Sequence, residues 1–406
     1  MGLVSGALPG EDVEAEVLRV SRKIWRGRVA GIHAASPARR SGGHAGGCPA
    51  CDWAHFDLSA AREAKRDLFL ETMSRIGKLP AGDFGALSVE PSPKGYRLRS
   101  RFHAERRGAG EVVVGGFAPR THRVEPLADC LALGAEARAL LPRLERALAK
   151  SGEDAPDIAT VESLDGKRRL VAATLSGSAR AEAPERGKRL SRAIAALCDG
   201  CVIRDGSGRV ISSWGEQRLW ISPAGRELPA TADAFFQANR FLVRPLAEYV
   251  RDAAAEIPAS DALDLFGGVG LFAGSLLDAG HSVVSVESDR GAAAGARLAR
   301  DRWHARERWG IERGDALGFA AADPGREAVI VADPPRGGLG LPLSRALAGR
   351  AGRRIIYVSC DPATLARDLA AITAEGWTIA AARLFDLFAL THRVEAVVVL
   401  DRSRRP

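Results

Sequence analysis

Apolar and polar positions follow two different rhythms along the 406 residues, and the change between them divides the chain. Asp12–Val20, DVEAEVLRV, alternates almost perfectly, which is the period of a half-buried strand; WRGRVAGI at Trp25–Ile32 offers it a partner. The Gly- and Ser-rich run SPARRSGGHAGG then reads as a loop. Leu58–Gly77, LSAAREAKRDLFLETMSRIG, has helical spacing with Gly77 as its stop. Between Pro91 and Asp233, short strands such as EVVVGGF and RRLVAATL mix with Ala-, Leu- and Arg-rich helices, an α+β pattern. From about Ala234 the rhythm becomes regular. Helix FLVRPLAEYVRDAAAEI leads to strand ALDLF, a glycine turn and helix LFAGSLLDAG; strand HSVVSVE, helix AAAGARLARDRW and strands AVIVAD and RRIIYVSC follow. Strands alternating with helices predict an α/β fold with a parallel, doubly wound sheet. The chain shows no internal repeat.

Composition adds a partner class and a compartment. No apolar run is long enough to span a bilayer and no charged-then-apolar leader opens the chain, so a cytoplasmic location is expected. Lys and Arg number 58 against 50 Asp and Glu, a net charge of +8, which points to a polyanionic partner, nucleic acid foremost. GC-rich coding also yields Arg- and Ala-rich chains that are basic without such a partner. The six cysteines are Cys48, Cys51, Cys130, Cys198, Cys201 and Cys360. In a cytosolic chain of this size they argue against a disulfide framework, and the close pairs read as metal or redox candidates.

Four stretches carry chemistry at strand ends. LDLFGGVGLF (Leu263–Phe272) ends an apolar strand at Phe266 and turns on Gly267, Gly268 and Gly270, where a backbone can approach a ligand closely. The spacing is not that of a dinucleotide fingerprint. Glu287 closes the next strand about 20 residues on, where a ribose diol is typically held, so the pair suggests a nucleoside cofactor. VIVADPPRGGL places Asp333 at the lip of a rigid Pro334-Pro335 loop. In IIYVSCDPATLARDL, Cys360 ends a strand and Pro362 starts a helix, whose amino-terminal dipole is expected to lower the thiol's pKa and ready a nucleophile. THRVEAVVVLDR puts Glu395 at the opening of the last strand as an available general base.

These pieces together resemble one family, the S-adenosylmethionine-dependent RNA uracil-5-methyltransferases. ADAFFQANRFL is similar to the family's FFQxN box, and LDLFGGVG, SVESD, ADPPRGGL, YVSCDPATLARDL and THRVEAV follow in the family's order. The resemblance implies a C-terminal Rossmann-like class I methyltransferase domain over 231–406 and a central α+β RNA-binding domain over 41–230. It implies a partial TRAM-like β segment over 1–40, without the first strands of a closed barrel. It implies Cys360 as the nucleophile that adds to uracil C6 and Glu395 as the base that removes the C5 proton. Gln237, Phe266, Glu287 and Asp315 fall where the family binds S-adenosylmethionine, and Leu271 where it often has Asn. Asp333 falls beside the reacting groups, binding cofactor or base. The implied partner is RNA, 23S rRNA ahead of the tRNA T-loop, and the implied state a monomer.

The chain departs from the family in two places. Some members hold a four-iron cluster with a C-x5-C-x2-C run and one distant cysteine; here Cys48, Cys51 and Cys130 remain, and Gly42 stands where the first cysteine belongs. A 4Fe–4S cluster on three thiolates with His44 filling in, a zinc site joining Cys198 and Cys201, and no metal all stay open. In the closing motif, Ala389 replaces a proline and Arg393 a histidine. A cytosine-C5 target and an RNA-binding factor with a decayed site are the competing readings.

Overall fold

Three large sheets in chain order carry the architecture of the computed structural model, which describes residues 2–40, 51–108, 110–118, 121–177, 182–322 and 325–402. The first contains β1 (Gly2–Ser5), β2 (Asp12–Val20) and β3 (Trp25–Ala34), in the order β1-β3-β2. β2 and β3 pair antiparallel, as their patterns suggest. The half-burial expected of β2 holds only for Val13 and Ala15; from Glu16 onward every residue is exposed, Val17, Leu18 and Val20 included, because no layer covers that end.

Helix α1 (Leu58–Thr72) starts where Asp57 accepts hydrogen bonds from the Ser59 and Ala60 amides, and a wider turn carries it on to Gly77. β4 (Val89–Glu90) follows. The central sheet holds β5 (Arg99–Arg107), β6 (Glu111–Phe117), β7 (Val124–Pro126), β8 (Asp157–Glu162), β9 (Arg169–Thr174), β10 (Gly200–Arg204) and β11 (Val210–Gly215), ordered β11-β10-β9-β8-β5-β6-β7. Helices α2 (Ala135–Ser151) and α3 (Ala183–Ile194) bury Leu140, Leu144, Leu190 and Ile194 against Phe102, Val114, Ile158 and Ile203 of this sheet. A short hairpin, β12 (Leu219–Ile221) and β13 (Leu228–Ala230), leads to α4 (Val243–Ala255).

The last sheet is built from β14 (Asp261–Leu265), β15 (Ser282–Glu287), β16 (Trp309–Arg313), β17 (Val329–Ala332), β18 (Arg354–Ser359), β19 (Trp377–Phe385) and β20 (Glu395–Arg402). Its order is β16-β15-β14-β17-β18-β20-β19-β4. Helices α5 (Leu271–Asp278), α6 (Arg290–Arg302), α7 (Ala316–Ala322), α8 (Gly340–Gly349) and α9 (Pro362–Thr373) connect the strands. The five strands β14 to β18 are parallel as the alternation predicts, but β20 runs antiparallel to both β18 and β19. That reversal brings the first residue of β20 to the carboxyl edge of the parallel strands. Strand order switches direction between β14 and β17, where open α/β sheets bind ligands.

The packing does not divide at 230/231 as the sequence pattern suggests. β4 pairs with β19, and Phe69, Met73, Leu79 and Phe84 share one core with Leu365, Leu369 and Ile372 of α9. Residues 58–90 therefore belong to the last sheet's layer, because the apolar stripe of α1 has α9 to cover. Among the described residues no helix is long and apolar enough to cross a membrane.

Candidate active site

Side chains alternate across a strand, so the core assigns each sheet residue to a face. Ala262, Val329, Val331, Ile356, Val358, Val397 and Val399 share one core; Leu263, Ile330, Ile355, Tyr357, Ala396 and Val398 share the other. Following the first set to the carboxyl edge, the next residues on that face are Asp264, Asp333, Cys360 and Glu395. The register closes the row: Asp264 pairs with Val331, Ala332 with Tyr357, and Ser359 with Ala396. Residues up to 131 positions apart in sequence thus line one face of four neighbouring strands.

The glycine turn after β14 is shaped by what lies beneath it. Phe266 has φ 62°, a conformation bulky residues rarely adopt, which marks a constrained site. Gly270 has φ 103°, and a Cβ there would lie 2.3 Å from the Trp309 ring. A Cβ on Gly267 would lie 2.8 Å from Asp264 Oδ2. Glu287 accepts from the Gly268 amide at 3.0 Å and from the Asp289 amide at 2.6 Å, so it ties β15 to the turn. The Gly314 amide donates to the Glu287 carbonyl at 3.2 Å, which draws the Asp315 loop alongside. Asp315 is exposed and accepts from the Leu317 and Gly318 amides at 3.0 and 2.8 Å, capping α7. Leu271 is the half-buried first residue of α5. Phe266, Leu271, Glu287 and Asp315 therefore form one end of the carboxyl edge.

Gln237 and Asp333 form the next stretch, with Gln237 Nε2 donating to Asp333 Oδ2 at 3.3 Å. Asn239 holds this segment in place. It is fully buried, donates to Ser92 Oγ and the Leu387 carbonyl, and accepts from the Phe241 and Leu242 amides. The loop after Asp333 is clamped by α9: Asp368 accepts from the Leu339 amide at 2.8 Å, and Thr364 and Arg367 donate to the Arg336 and Gly337 carbonyls. Cys360 is half-buried beside that loop, and Glu395 is 4% exposed.

The electrostatics correct one expectation. The Cys360 thiol is not lowered by α9 but pushed up to about 11, by burial first and then by the charges of Glu395 and Asp333. Asp361 caps the first turn of α9, accepting from the Ala363 and Thr364 amides at 3.0 Å each, so those dipoles are spent on a carboxylate. Asp333 is pushed up to about 7 by burial and by Asp264. Glu395 is raised well above the ordinary carboxylate range by burial and by Asp333. Asp264, which the sequence pattern did not single out, is 0% exposed and rises to about 7, mainly through burial. The signal was available: an aspartate set between Leu263 and Leu265, inside the apolar run of β14. Such a row has the chemistry of a proton-handling site with a thiol nucleophile.

The loop that ends at Glu395 rests on the N-terminal half. Lys65 pairs with Asp386 at 2.5 Å, both side chains nearly inaccessible, and donates to the Phe388 carbonyl at 3.2 Å. The Trp53 amide donates to the Leu390 carbonyl at 2.8 Å, and His392 Nδ1 meets Asp52 at 2.5 Å. Leu390 has φ 67°, next to Ala389. These contacts link residues more than 300 positions apart and left no trace in local pattern. Cys51 and Cys130 are buried with their sulfurs 4.0 Å apart. Cys48, Gly42 and His44 lie outside the described residues. Cys198 is half-buried next to buried Cys201 on β10. Among the described residues, no group of three or more His, Cys, Asp or Glu is placed to hold a metal.

Comparison with known proteins finds relatives along the whole chain. Residues 325–403 match the family model described as tRNA (Uracil-5-)-methyltransferase. A 23S rRNA (uracil(1939)-C(5))-methyltransferase of Halomonas elongata is 30% identical, covering 99% of this chain and 86% of that one. An RNA methyltransferase of Streptomyces avermitilis is also 30% identical, over 99% of this chain and 93% of its own length. The solved tRNA (uracil-54, C5)-methyltransferase of Pyrococcus abyssi, in complex with S-adenosyl-L-homocysteine, superposes with a TM-score of 0.78 at 21% identity, over 98% of this chain and 94% of that one. It has the class I methyltransferase fold described above.

Proposed function

The chain belongs to the RNA uracil-C5-methyltransferase family, and from that premise we propose that it methylates C5 of a uridine in 23S rRNA through a covalent bond from Cys360 to C6. The observation that carries the reading is the row of Asp333, Cys360 and Glu395 on one face of the sheet at its switch point. The rRNA target follows the Halomonas relative. A tRNA target is the second reading, supported by the family model.

S-adenosylmethionine suits the site: the glycine turn, Glu287 and Asp315 offer backbone and carboxylate partners to a nucleoside, and the acidic row suits a cation. When bound, it supplies a positively charged sulfonium with an electrophilic methyl group. Gln237, Phe266, Leu271, Glu287, Asp315 and Asp333 hold it and the base. The rest of the chemistry is this chain's own. Uracil C5 is a poor nucleophile; addition of the Cys360 thiolate to C6 pushes the electron pair of the C5–C6 bond toward O4 and makes C5 nucleophilic. After methylation Glu395 takes the C5 proton, the C5–C6 double bond re-forms, and Cys360 leaves with its electron pair. With its thiol pushed up to about 11, Cys360 rests protonated, and its proton passes to solvent water before the thiolate adds to C6. A base must leave its stack to reach a half-buried sulfur, which favours a loop nucleotide.

The central sheet and the β1–β3 segment grip the RNA, consistent with the net charge of +8. Cys48, Cys51 and Cys130 are candidate ligands of an iron–sulfur cluster, tested by iron and sulfide content after anaerobic purification. The functional test uses tritiated S-adenosylmethionine with 23S rRNA and tRNA from a strain lacking uracil-5 methylation. Label in 5-methyluridine of 23S rRNA alone supports the reading; label in tRNA alone selects the second; none from folded, cofactor-binding protein overturns both.

A further inference from the structure

One lysine sits on the buried stripe of α1, between Ala61 and Phe69 at helical spacing. The Lys65 side chain is 1% exposed. Its ammonium donates to Asp386 Oδ1 at 2.5 Å and to the Phe388 carbonyl at 3.2 Å. Both acceptors lie in the loop 386–394, which joins β19 to β20 and ends at Glu395. The Phe388 carbonyl also accepts from the Thr391 amide at 3.2 Å and from Thr391 Oγ1 at 2.7 Å. Thr391 Oγ1 in turn accepts from the Arg393 amide at 3.2 Å. Hydrogen bonds thus run without a gap from Lys65 to the backbone two residues before Glu395. The loop needs such fixing, because Leu390 holds φ 67°, a conformation that residues other than glycine rarely adopt. The pair of His392 with Asp52 is largely exposed and restrains the loop weakly, which leaves the buried lysine as the stronger side-chain tie to the N-terminal half. A buried ion pair is weak evidence for stability, since apolar side chains of similar volume commonly serve as well. What a satisfied buried network adds is a single geometry.

We propose that Lys65 is a positioning residue for the final proton transfer: from α1 it fixes the 386–394 loop so that the Glu395 carboxylate reaches the C5 proton. The role rests on Glu395 acting as base in the covalent mechanism above. Lys65 exchanges no proton in the step. The C5–H bond breaks toward Glu395, its electron pair re-forms the C5–C6 double bond, and the Cys360 Sγ–C6 bond breaks with its pair left on sulfur. Cys360 addition and methyl transfer come earlier and use groups at the ends of β17 and β18, outside this loop. The Gln237 segment touches the loop where Asn239 donates to the Leu387 carbonyl, but Asn239 keeps its bonds to Ser92 and to the Phe241 and Leu242 amides. A loop displaced by about 1 Å therefore slows elimination, by about 10²-fold, and spares the steps before it.

The test compares wild type, Glu395→Gln and the double variant Lys65→Met with Asp386→Leu, which leaves no buried charge unpaired. Each is assayed for turnover and for methylated protein–RNA adduct on a denaturing gel. In the double variant kcat is expected to fall about 10²-fold and adduct to accumulate, as in Glu395→Gln. Because kcat/KM reports only the steps up to methyl transfer, it stays within about twofold, so kcat and KM fall together. Affinity for S-adenosylmethionine is unchanged. A purely structural role lowers the folded fraction and traps no adduct; that result, or a fall in kcat/KM without adduct, overturns the proposal. Absence of adduct in Glu395→Gln instead defeats the assignment of the base, and the role of Lys65 falls with it. If the double variant does not fold, Thr391→Val cuts the same path inside the loop. Adduct in excess of wild type is then expected, and its absence overturns the proposal.

Discussion

The central sheet and the carboxyl edge of the last sheet both carry carboxylates withdrawn from solvent, and they treat them in opposite ways. In the central sheet, Glu162 is 2% exposed and lies between two guanidinium groups, Arg169 at 2.5 Å and Arg240. Glu153, 4% exposed, accepts from Arg186 at 2.7 Å and Arg189 at 2.6 Å. In the last sheet Asp264, Asp333 and Glu395 form no ion pair with a Lys or Arg among the described residues, and all three are pushed upward. A buried carboxylate with fixed cations is charged at neutral pH and serves packing and orientation. One without them sits near the point where a proton comes and goes, which is the property a catalytic acid or base needs. The difference separates structural charge from chemical charge within one chain.

The comparison can be broken at several points. Cys360→Ala removes the nucleophile and is expected to lower methyl transfer by at least about 10⁴-fold with cofactor binding retained, read by tritium incorporation. Glu395→Gln blocks the final proton removal; turnover falls by about 10² to 10⁴-fold, and a methylated protein–RNA adduct accumulates on a denaturing gel. Arg169→Met leaves Glu162 with a single cation and costs about 3–5 kcal/mol in urea unfolding. Asp333→Asn removes a half-buried carboxylate that has no cation to lose, so it costs less than about 1 kcal/mol or stabilises. Equal costs at the two sites would erase the distinction.

The same contrast has a pH signature. Asp264 and Asp333 titrate near 7 when folded, against an ordinary value of 3.8, so the native state binds more protons than the unfolded chain between those values. Stability from these groups is full below about pH 4 and is lost as pH rises to about 7. Thermal unfolding across that range should show the decline, reduced in Asp264→Asn and Asp333→Asn. The smallest effect is expected at the exposed Arg168–Glu216 pair, where Arg168→Ala changes stability by about 0–1 kcal/mol.

What was legible in the sequence was whatever is local. The glycine turn with Glu287, the Pro-Pro loop with Asp333, and Cys360 between a strand and a proline-started helix each announced themselves within a dozen residues. The antiparallel course of β20 was not legible, because AVVVL fits either direction; yet that course brings Glu395 beside Cys360. The Lys65–Asp386 pair joins residues 321 positions apart and has no local signature. The direction of the Cys360 shift was misread because a helix start suggests free amides, whereas Asp361 already occupies them. Asp264 was visible as a letter inside a quoted motif, but only the face it shares with Asp333 gives it meaning.

The central claim is the covalent bond between Cys360 and uracil C6. It is tested most directly with substrate RNA carrying 5-fluorouridine at the target, since a fluorine on C5 cannot leave as a proton. Incubation with S-adenosylmethionine should yield a stable, methylated protein–RNA adduct whose digestion maps the link to Cys360. Turnover of ordinary RNA without any adduct on the fluorinated one, or an adduct on a different residue, would contradict the account.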